Sequence, residues 1–186
     1  MKEETIYFAT TNKHKLKEVR EILAPLRVEQ ADIEAPEPRS DSFQEVAEFK
    51  ARYAWEKFRK PLIVEDAGIA ISALKEFPGP FSAYVFGKIG NEGILRLMDG
   101  KKDRTAKFIS VISYLKESSA PVSFIGELKG QISQEIRGEN GFGYDPIFIP
   151  ESHTETMGEM PQNEKNNISH RRQSLEKFIS WHKKRK

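Results

Sequence analysis

The chain has 186 residues, enough for one domain with a substantial hydrophobic core, and none of them is cysteine. The absence of cysteine excludes disulfides, thiol nucleophiles and cysteine-ligated metal centres. The net charge of +2, from 30 basic and 28 acidic residues, does not favour a nucleic-acid or membrane partner. No apolar run approaches the roughly 18 residues of a spanning helix. We therefore expect a single cytoplasmic domain over residues 1–186.

The first half of the chain alternates extended and helical patterns. A strand, a helix and an extended segment are predicted over residues 5–10, 13–23 and 27–33. After a proline-broken loop, Ser40 or Asp41 is expected to cap a helix whose apolar stripe, from Phe43 to Phe58, extends up to Pro61. An extended segment followed by a helix thus occurs twice, which indicates an α/β chain.

Two adjacent acids follow the apolar run 62–64, which predicts a short strand ending at Glu65 and Asp66. If the strand continues, their side chains point to opposite faces, so that one carboxylate can serve a site without the other. Glu37 and Asp145 are further single acids in loops. Magnesium prefers a few carboxylates together with water and phosphate oxygens, so this set is compatible with a magnesium site. A solvated surface role explains any one acid, taken alone, more simply.

Farther along the chain, a Pro/Gly-rich turn with a short helix is predicted over residues 77–86 and a second short helix over 92–98, before a change of pattern. Long β-type segments between residues 105 and 136 predict an antiparallel meander with turns at Ser118-Ser119 and Gly130. A short strand is predicted over 146–149, and a helical pattern runs from residue 163 to the end. The whole order predicts a sheet with both parallel and antiparallel pairs.

Six polar or basic residues stand between the first strand and the first helix: Thr10, Thr11, Asn12, Lys13, His14 and Lys15. Backbone amides at a helix start, hydroxyl groups and a lysine can together hold phosphate oxygens. Thr11 or Asn12 acting only as a helix cap is the simpler alternative. Both interpretations place a polar loop at the start of the first helix.

A glycine-rich aromatic segment lies at residues 141–146. Gly141 and Gly143 leave room for a ligand to approach the backbone, and Phe142 and Tyr144 offer flat faces for a base. A tight turn with two core aromatics is an equally good interpretation.

The last helical pattern contains a local conflict. Ser169 or Asn167 is placed to cap a helix whose first turn holds His170 and Arg171, where cations oppose the helix dipole. Such conflicts are expected at functional sites, although a surface helix can also contain one.

In this order, the segments resemble the inosine/xanthosine triphosphate pyrophosphatase family over nearly the whole chain. The motifs are Thr-x-Asn-x-x-Lys at 10–15, Glu-Asp-Ala-Gly at 65–68, Leu-x-x-x-Pro-Gly at 74–79, Gly-Phe-Gly-Tyr-Asp-Pro at 141–146, and Glu-Met-x-x-x-Glu-Lys-Asn-x-x-Ser-His-Arg at 159–171. Each motif is weak alone, whereas the ordered set is specific.

The resemblance implies a long twisted mixed β-sheet flanked by helices, with two lobes around a nucleotide cleft, in a homodimer. It also implies Mg²⁺-dependent hydrolysis of ITP, dITP and XTP to the monophosphate and pyrophosphate. No stable nucleic-acid partner and no membrane contact are expected.

The resemblance further implies that residues 10–15 bind the triphosphate, that Glu37 and Asp66 hold Mg²⁺, and that Asp66 is the general base. The other substrate contacts that it implies are Lys50, Ala67, Phe142, Gly143, Tyr144, Asp145, Lys165, His170 and Arg171. His170 and Arg171 would read the 6-keto edge of the purine. Ala67 stands where the family often has Ser or Thr, which would leave only a backbone contact there. Ala83 stands near a position where others have Lys or Arg.

Two other functions fit parts of the chain. A Maf-like pyrophosphatase for modified pyrimidine nucleotides shares the opening strand, loop and helix, but the segments around Phe142 and His170 argue against it. A nucleic-acid-binding module would use the basic C-terminal residues, yet no recognition motif of that kind is present.

Overall fold

The computed structural model describes residues 5–117 and 120–185. Its strands and helices, in chain order, are β1 (Thr5–Ala9), α1 (Lys13–Leu23), β2 (Arg27–Ala31), α2 (Phe43–Phe58), β3 (Leu62–Ile71), β4 (Phe77–Pro78), α3 (Ser82–Leu97), β5 (Thr105–Leu115), β6 (Val122–Ile132), β7 (Phe148–Pro150), α4 (Gln162–Ile168) and α5 (His170–Lys183). None of the helices in these ranges is both long and apolar enough to cross a membrane.

The strands of the described residues form one seven-stranded sheet in the order β2-β1-β3-β5-β6-β7, with β4 paired to β3. β1 is parallel to both β2 and β3, and Phe8 of β1 lies opposite Ile63 of β3. β4 is antiparallel to β3, and β7 is antiparallel to β6. The predicted α/β class with a mixed sheet is therefore confirmed.

The chain divides into two compact units, each made of separate segments. Unit 1 comprises Met1–Asp66, Ser110–Gly126 and Arg171–Lys186, and unit 2 comprises Ala67–Ile109 and Glu127–His170. Strands β3, β5 and β6 contribute residues to both units. Each unit has a hydrophobic core of its own, with Phe8 and Phe178 in unit 1 and Phe148 and Met157 in unit 2.

In unit 1, two helix caps follow from short side-chain contacts. Asn12 caps α1, because its Oδ1 accepts a hydrogen bond from the backbone N–H of Lys15 at 3.0 Å, which confirms one of the two predicted caps. The prediction that Ser40 or Asp41 caps α2 is wrong. Ser42 caps it through Glu45, and Ser40 Oγ instead accepts from the Ser42 N–H. The buried side chain of Phe43 sets the start of the helix two residues later than Ser40 and one later than Asp41 would.

Strand β3 is longer than the short apolar run suggests. It continues to Ile71, so Glu65 and Asp66 lie in the middle of a ten-residue strand and not at its end. Nine of its ten residues are buried, and Ile69, Ala70 and Ile71 supply the apolar surface that keeps the chain extended beyond the acids. The prediction of a strand end at Glu65 is therefore wrong. The strand continues through Glu65 and Asp66 because both buried acids have basic partners, Arg171 and Lys50.

In unit 2, the predicted boundaries need two corrections. Gly130 is not a turn but a residue of β6, paired with Pro150 of β7. Residues 145–147 form a short 3₁₀ turn, and the strand predicted over 146–149 is Phe148–Pro150. Of the segment 77–86, residues 77–78 form β4 and residues 79–81 a short 3₁₀ turn, so the predicted helix there begins only at Ser82. It and the second predicted short helix are joined in α3, which is kinked at Gly90. The predicted turn at Ser118-Ser119 lies outside the described residues.

A substitution at Gly68 tests how closely β3 is packed in unit 2. A Cβ at Gly68 would lie 2.3 Å from Ser82 Oγ and 2.6 Å from the Gly79 carbonyl oxygen. We expect Gly68→Ala to lower the free energy of unfolding by about 1–3 kcal/mol, because the overlap must be relieved by moving backbone. Denaturant unfolding measures the change.

The matched control is Gly87→Ala on α3, where a Cβ meets no atom within 4 Å. Alanine is favoured over glycine in a helix by about 1 kcal/mol, so this variant should be unchanged or more stable. Equal destabilisation by both substitutions would show that the Gly68 contact does not limit the fold.

Candidate active site

The loop between β1 and α1 is a polar helix start. Thr10 Oγ1 accepts a hydrogen bond from the Asn12 N–H at 3.1 Å, and the Thr10 carbonyl accepts one from Gln30 Nε2 at 2.8 Å. Thr11, Asn12, Lys13 and His14 are exposed, as a phosphate-binding loop requires. The N-terminus of an 11-residue helix with two lysines in its first turn is suited to an anion. The capping role of Asn12 and a phosphate-binding role of the loop are compatible.

Behind this loop lies a buried ion cluster that connects α1, β3 and α5. Arg171 of α5 bonds to Glu18 of α1, and its Nη2 donates to Glu65 Oε2 of β3 at 3.0 Å. The Nε of Arg171 also lies 2.8 Å from Glu65 Oε1. All three side chains are almost fully buried, so each charge is compensated within the protein.

Glu65 has two further partners. Lys15 Nζ lies 3.2 Å from Glu65 Oε2, and Ser110 Oγ donates to Glu65 Oε1 at 2.7 Å. Burial alone would raise the pKa of Glu65, but the charges of Arg171 and Lys15 outweigh it and hold the pKa below its ordinary range. The same carboxylates keep the pKa of Arg171 above its ordinary value, despite the opposing effect of burial. Glu65 is therefore ionised and structural.

Asp66, the next residue, has a different environment. Its Oδ1 lies 2.9 Å from Lys50 Nζ, whereas its buried Oδ2 has no hydrogen-bond partner among the described residues. Burial raises the pKa of Asp66 above its ordinary value, and the nearby Lys50 and Lys15 only partly offset that effect. The two adjacent carboxylates thus have opposite pKa shifts, consistent with the expectation that only one of them serves a site.

Lys50 joins Asp66 to Glu37. Its Nζ lies 2.6 Å from Glu37 Oε1 as well as 2.9 Å from Asp66 Oδ1, so both carboxylates converge on one positive charge. Burial lowers the pKa of Lys50, but the attraction of Asp66 and Glu37 exceeds this and leaves the pKa above its ordinary value. Because Glu37 and Asp66 already hold the ammonium group of Lys50 between them, the same two carboxylates can hold a metal cation.

The residues predicted to hold magnesium fit that ion in chemical type. Glu37 and Asp66 are two oxygen donors, and no hydrogen bond from the part of the chain that the structure describes occupies the buried Asp66 Oδ2. Magnesium is commonly held by one or two carboxylates, with water and substrate phosphate completing its shell. Within residues 5–117 and 120–185, no group of three or more His, Cys, Asp or Glu side chains is arranged around one point.

In unit 2, the glycine-rich segment forms a loop that Asp145 closes. Asp145 Oδ2 accepts hydrogen bonds from the Phe142 N–H at 2.8 Å and from Lys165 Nζ at 2.7 Å. Lys165 Nζ also lies 4.8 Å from the centre of the Phe142 ring. Gly141 has a φ of 76°, and a Cβ there would lie 2.1 Å from Asp145 Oδ2, so only glycine fits. The structure therefore brings Phe142, Asp145 and Lys165 together, and their contact with substrate stays a prediction.

Tyr144 and His170 are more deeply placed than Phe142. The Tyr144 hydroxyl donates to the Ser82 carbonyl at 3.0 Å, its ring meets Phe86 edge-on, and burial raises its pKa. The His170 ring stacks on Phe108 with 4.9 Å between ring centres. Tyr144 has the contacts of a core aromatic, which was the alternative interpretation, and its substrate contact stays a prediction. Ala67, next to Asp66 on β3, is partly buried, and Gly143 accepts a hydrogen bond from Asn91 through its carbonyl.

Sequence reasoning did not find Glu18, Ser110 or Ser174, which complete the buried cluster in unit 1. Ser110 Oγ bonds to both Glu65 and Ser174 Oγ, at 2.7 and 2.9 Å. The only signal for Glu18 was its place on the inward side of α1, beside Val19. An acid within an apolar stripe predicts a buried partner, but Arg171 stands 153 residues later and no local pattern identifies it.

Comparison with other proteins gives a consistent result over the whole chain. A model described as the Ham1 family matches residues 6–181. The dITP/XTP pyrophosphatase of Methanopyrus kandleri is 51% identical over 180 residues, which cover 96% of each chain. That of Methanothermobacter marburgensis is 45% identical over 179 residues, or 95% of each chain.

Solved structures agree with this likeness. A HAM1 protein from Coxiella burnetii superposes with a TM-score of 0.86 at 34% identity, covering 97% of this chain and 98% of that one. A nucleoside-triphosphatase or dITP/XTP pyrophosphatase from Mycobacterium abscessus gives a TM-score of 0.75 at 29% identity, with 95% and 99% covered. The likeness in sequence thus extends to the fold.

Arg171 and Arg172 are adjacent on α5 and provide a test of the buried cluster. Arg171→Ala leaves Glu18 and Glu65 buried without their main counter-charge, and we expect a loss of about 3–5 kcal/mol in the free energy of unfolding. Arg172 pairs with Glu176 on the helix surface at 3.0 Å, so Arg172→Ala should cost no more than about 1 kcal/mol. Denaturant unfolding of both variants measures the difference, and equal small losses would contradict a structural role for Arg171.

Proposed function

This chain belongs to the Ham1 family, and we propose that it hydrolyses the non-canonical purine nucleotides ITP, dITP and XTP to the monophosphate and pyrophosphate. The observation that carries the proposal is the state of Asp66. It is a buried carboxylate with one oxygen on Lys50 and the other without a hydrogen-bond partner in residues 5–117 and 120–185. It stands in a chain that resembles a dITP/XTP pyrophosphatase over 96% of its length. Removal of such nucleotides from the nucleotide pool is the expected physiological result.

Asp66 is proposed as the general base that activates water. Its raised pKa makes the ionised form a stronger base than an ordinary aspartate, and its Oδ2, which no other described residue contacts by a hydrogen bond, can accept a proton. Attack of water at the α-phosphorus breaks the bond to the β-phosphate, and the electron pair leaves with pyrophosphate. Lys50, on the other oxygen of Asp66, orients the carboxylate.

The start of α1 is proposed to bind the triphosphate. The exposed residues Thr11 to His14 offer hydroxyl, amide and backbone N–H donors, and Lys13 and Lys15 add positive charge. Negative charge accumulates on the leaving pyrophosphate, so donors fixed at a helix N-terminus stabilise the transition state more than the ground state. Lys15 is itself held by Glu65, which links the phosphate loop to the buried cluster.

Magnesium is proposed as the cofactor, held by Glu37 and Asp66. When bound, Mg²⁺ would neutralise phosphate charge and help position the attacking water. Support comes from the two carboxylates, Glu37 and Asp66, which both contact Lys50 Nζ and so lie around one positive charge. A bound ion would replace Lys50 at these carboxylates or share them with it.

Recognition of the base is assigned, from the family resemblance, to individual residues. Phe142 offers an aromatic face beside Lys165, and His170 and Arg171 are the proposed readers of the 6-keto group. A site that donates to a 6-keto oxygen discriminates against the 6-amino group of ATP, because the donor is left unpaired. Because Arg171 also binds Glu18 and Glu65, its replacement should affect stability as well as selectivity.

The family resemblance also supports two wider proposals. We propose that the protein acts as a homodimer, and that it works in the cytoplasm, where the nucleotide pool is found.

The direct test is pyrophosphate release from ITP, dITP, XTP, GTP, ATP and dTTP at equal concentration, with Mg²⁺ and with EDTA. We expect release from the first three nucleotides to exceed release from GTP and ATP, and EDTA to abolish it. Preference for dTTP would instead favour a Maf-like pyrimidine pyrophosphatase. Unchanged release in EDTA would refute the proposed magnesium requirement.

Asp66→Asn tests the general base. The amide keeps the size of the side chain but cannot accept the proton at neutral pH, so kcat for dITP should fall by at least about 100-fold, within the range usual for a lost base. Asp41→Asn, on an exposed aspartate before α2, is the matched control and should keep wild-type turnover. Near-normal turnover in Asp66→Asn would remove Asp66 from this role.

A further inference from the structure

Asn91 stands directly after the kink of α3. The residue before it, Gly90, has a φ of 59° and a ψ of −164°, a backbone conformation that essentially only glycine adopts. An asparagine at such a helix start usually caps the helix, because its side-chain oxygen accepts a hydrogen bond from a backbone N–H. The buried Oδ1 of Asn91, however, accepts no hydrogen bond from the residues that the structure describes. Capping therefore does not explain this residue.

The other end of the Asn91 amide has a partner in the glycine-rich loop. Its Nδ2 donates a hydrogen bond to the Gly143 carbonyl at 3.1 Å, between two residues that lie 52 positions apart in the chain. Only the NH₂ group of the amide can donate to a carbonyl, so this bond sets which way the amide is turned. Burying an oxygen without a hydrogen bond is unfavourable, which indicates that the contact with Gly143 determines the orientation of Asn91.

Gly143 is a point of the loop that side-chain packing does not hold. Its φ is 63°, and a Cβ there would meet no atom within 4 Å. Glycine also has more conformational freedom than any other residue. Because the peptide group that joins Gly143 to Tyr144 is planar, a hydrogen bond to its carbonyl fixes the orientation of the whole group. Asn91 thus restrains the loop at its least packed residue.

Phe142, which is proposed to offer its ring to the base, is restrained on both sides. Its own N–H donates to Asp145 Oδ2 at 2.8 Å, and the next residue, Gly143, is held by Asn91. A binding loop that is ordered before its ligand arrives loses less conformational entropy on binding. Loss of the Asn91 contact should therefore weaken binding of the base.

We propose that Asn91 is a positioning residue for the purine base, and that it acts through the Gly143 carbonyl on the loop that contains Phe142. This role rests on the proposed function, because it takes the glycine-rich loop as a wall of the base site. Asn91 does not contact the substrate in this role, since its NH₂ group is bound to Gly143 and its oxygen is buried. Its effect is on affinity for the base and not on the chemistry proposed for Asp66.

Asn91→Leu removes the hydrogen-bond donor and nearly keeps the size of the side chain. Leucine is a better helix former than asparagine, so we expect the variant to fold, and circular dichroism melting checks this. KM for dITP should rise about five- to tenfold, as expected for one lost hydrogen bond. The value of kcat should stay within about twofold of wild type, because an interaction that serves only binding changes KM. Glu92→Gln, at the exposed next residue, is the matched control and should change neither value.

Asn91→Asp separates the hydrogen bond from the shape of the side chain. The aspartate has almost the same shape, but it presents an acceptor to the Gly143 carbonyl. We expect KM for dITP to rise at least as much as in Asn91→Leu. A KM equal to that of wild type in Asn91→Asp would show that only the volume of the side chain matters, which would overturn the proposed role.

Inhibitors with and without a base distinguish positioning from a general loss of structure. Inorganic triphosphate has the phosphates of the substrate but no purine, so its inhibition constant against dITP hydrolysis should be the same in wild type and Asn91→Leu. IMP contains the base with a single phosphate, and its inhibition constant should rise by the same factor as KM. Equal weakening of both inhibitors would overturn the proposed role, because the substitution would then disturb the site as a whole.

The remaining outcomes separate this role from the proposed function. An active wild-type enzyme, together with an unchanged KM in Asn91→Leu or a loss confined to kcat, would overturn the role of Asn91 alone. A wild-type protein that releases no pyrophosphate from dITP would overturn the proposed function and, with it, the role that depends on it.

Discussion

The buried guanidinium of Arg171 is the interaction on which the arrangement of unit 1 depends. It lies between Glu18 of α1 and Glu65 of β3, and it stands in the first turn of α5. Two carboxylates and one cation in a dry interior would be costly singly, but together they satisfy one another. Because each partner belongs to a different element, the cluster fixes α1 and α5 against the strand that contains Asp66. The unfavourable placement of a cation at a helix N-terminus is thereby compensated by Glu18 and Glu65.

Because Arg171 binds Glu65, the adjacent acids Glu65 and Asp66 have different roles. The strand turns the two side chains to opposite faces, and each face sets a different pKa. Glu65 contacts Arg171, Lys15 and Ser110 and is stabilised as an anion. Asp66 bonds to Lys50, and the attraction of Lys50 and Lys15 only partly offsets the cost of its burial. The proposed general base is Asp66, the less stable of the two carboxylate anions. Functional groups that reduce stability are common where reactivity is needed.

Much of this organisation could be predicted from the sequence. The class of fold, the order of most elements and the opposite faces of Glu65 and Asp66 follow from periodicity, while the site residues rest on the ordered motifs. The extent of β3 could not be predicted, because acids within a strand look like its end unless their partners are known. Those partners, Arg171 and Lys50, come from distant segments. The burial of Tyr144 was likewise open, since an aromatic residue next to glycine suits a turn in the core as well as a binding loop.

The most direct measurement is the free energy of unfolding at neutral pH of Glu65→Gln and Asp66→Asn, side by side. Since the pKa of Glu65 lies below its ordinary value, its ionisation stabilises the fold, and this stability is lost only as pH falls below the ordinary glutamate range. Since the pKa of Asp66 is raised, its ionisation opposes folding once pH exceeds the ordinary aspartate range. We predict that Glu65→Gln loses on the order of 3 kcal/mol, whereas Asp66→Asn is unchanged or more stable, since Lys50 keeps Glu37. Equal losses, or a greater loss in Asp66→Asn, would contradict the separation of a structural carboxylate from a chemical one.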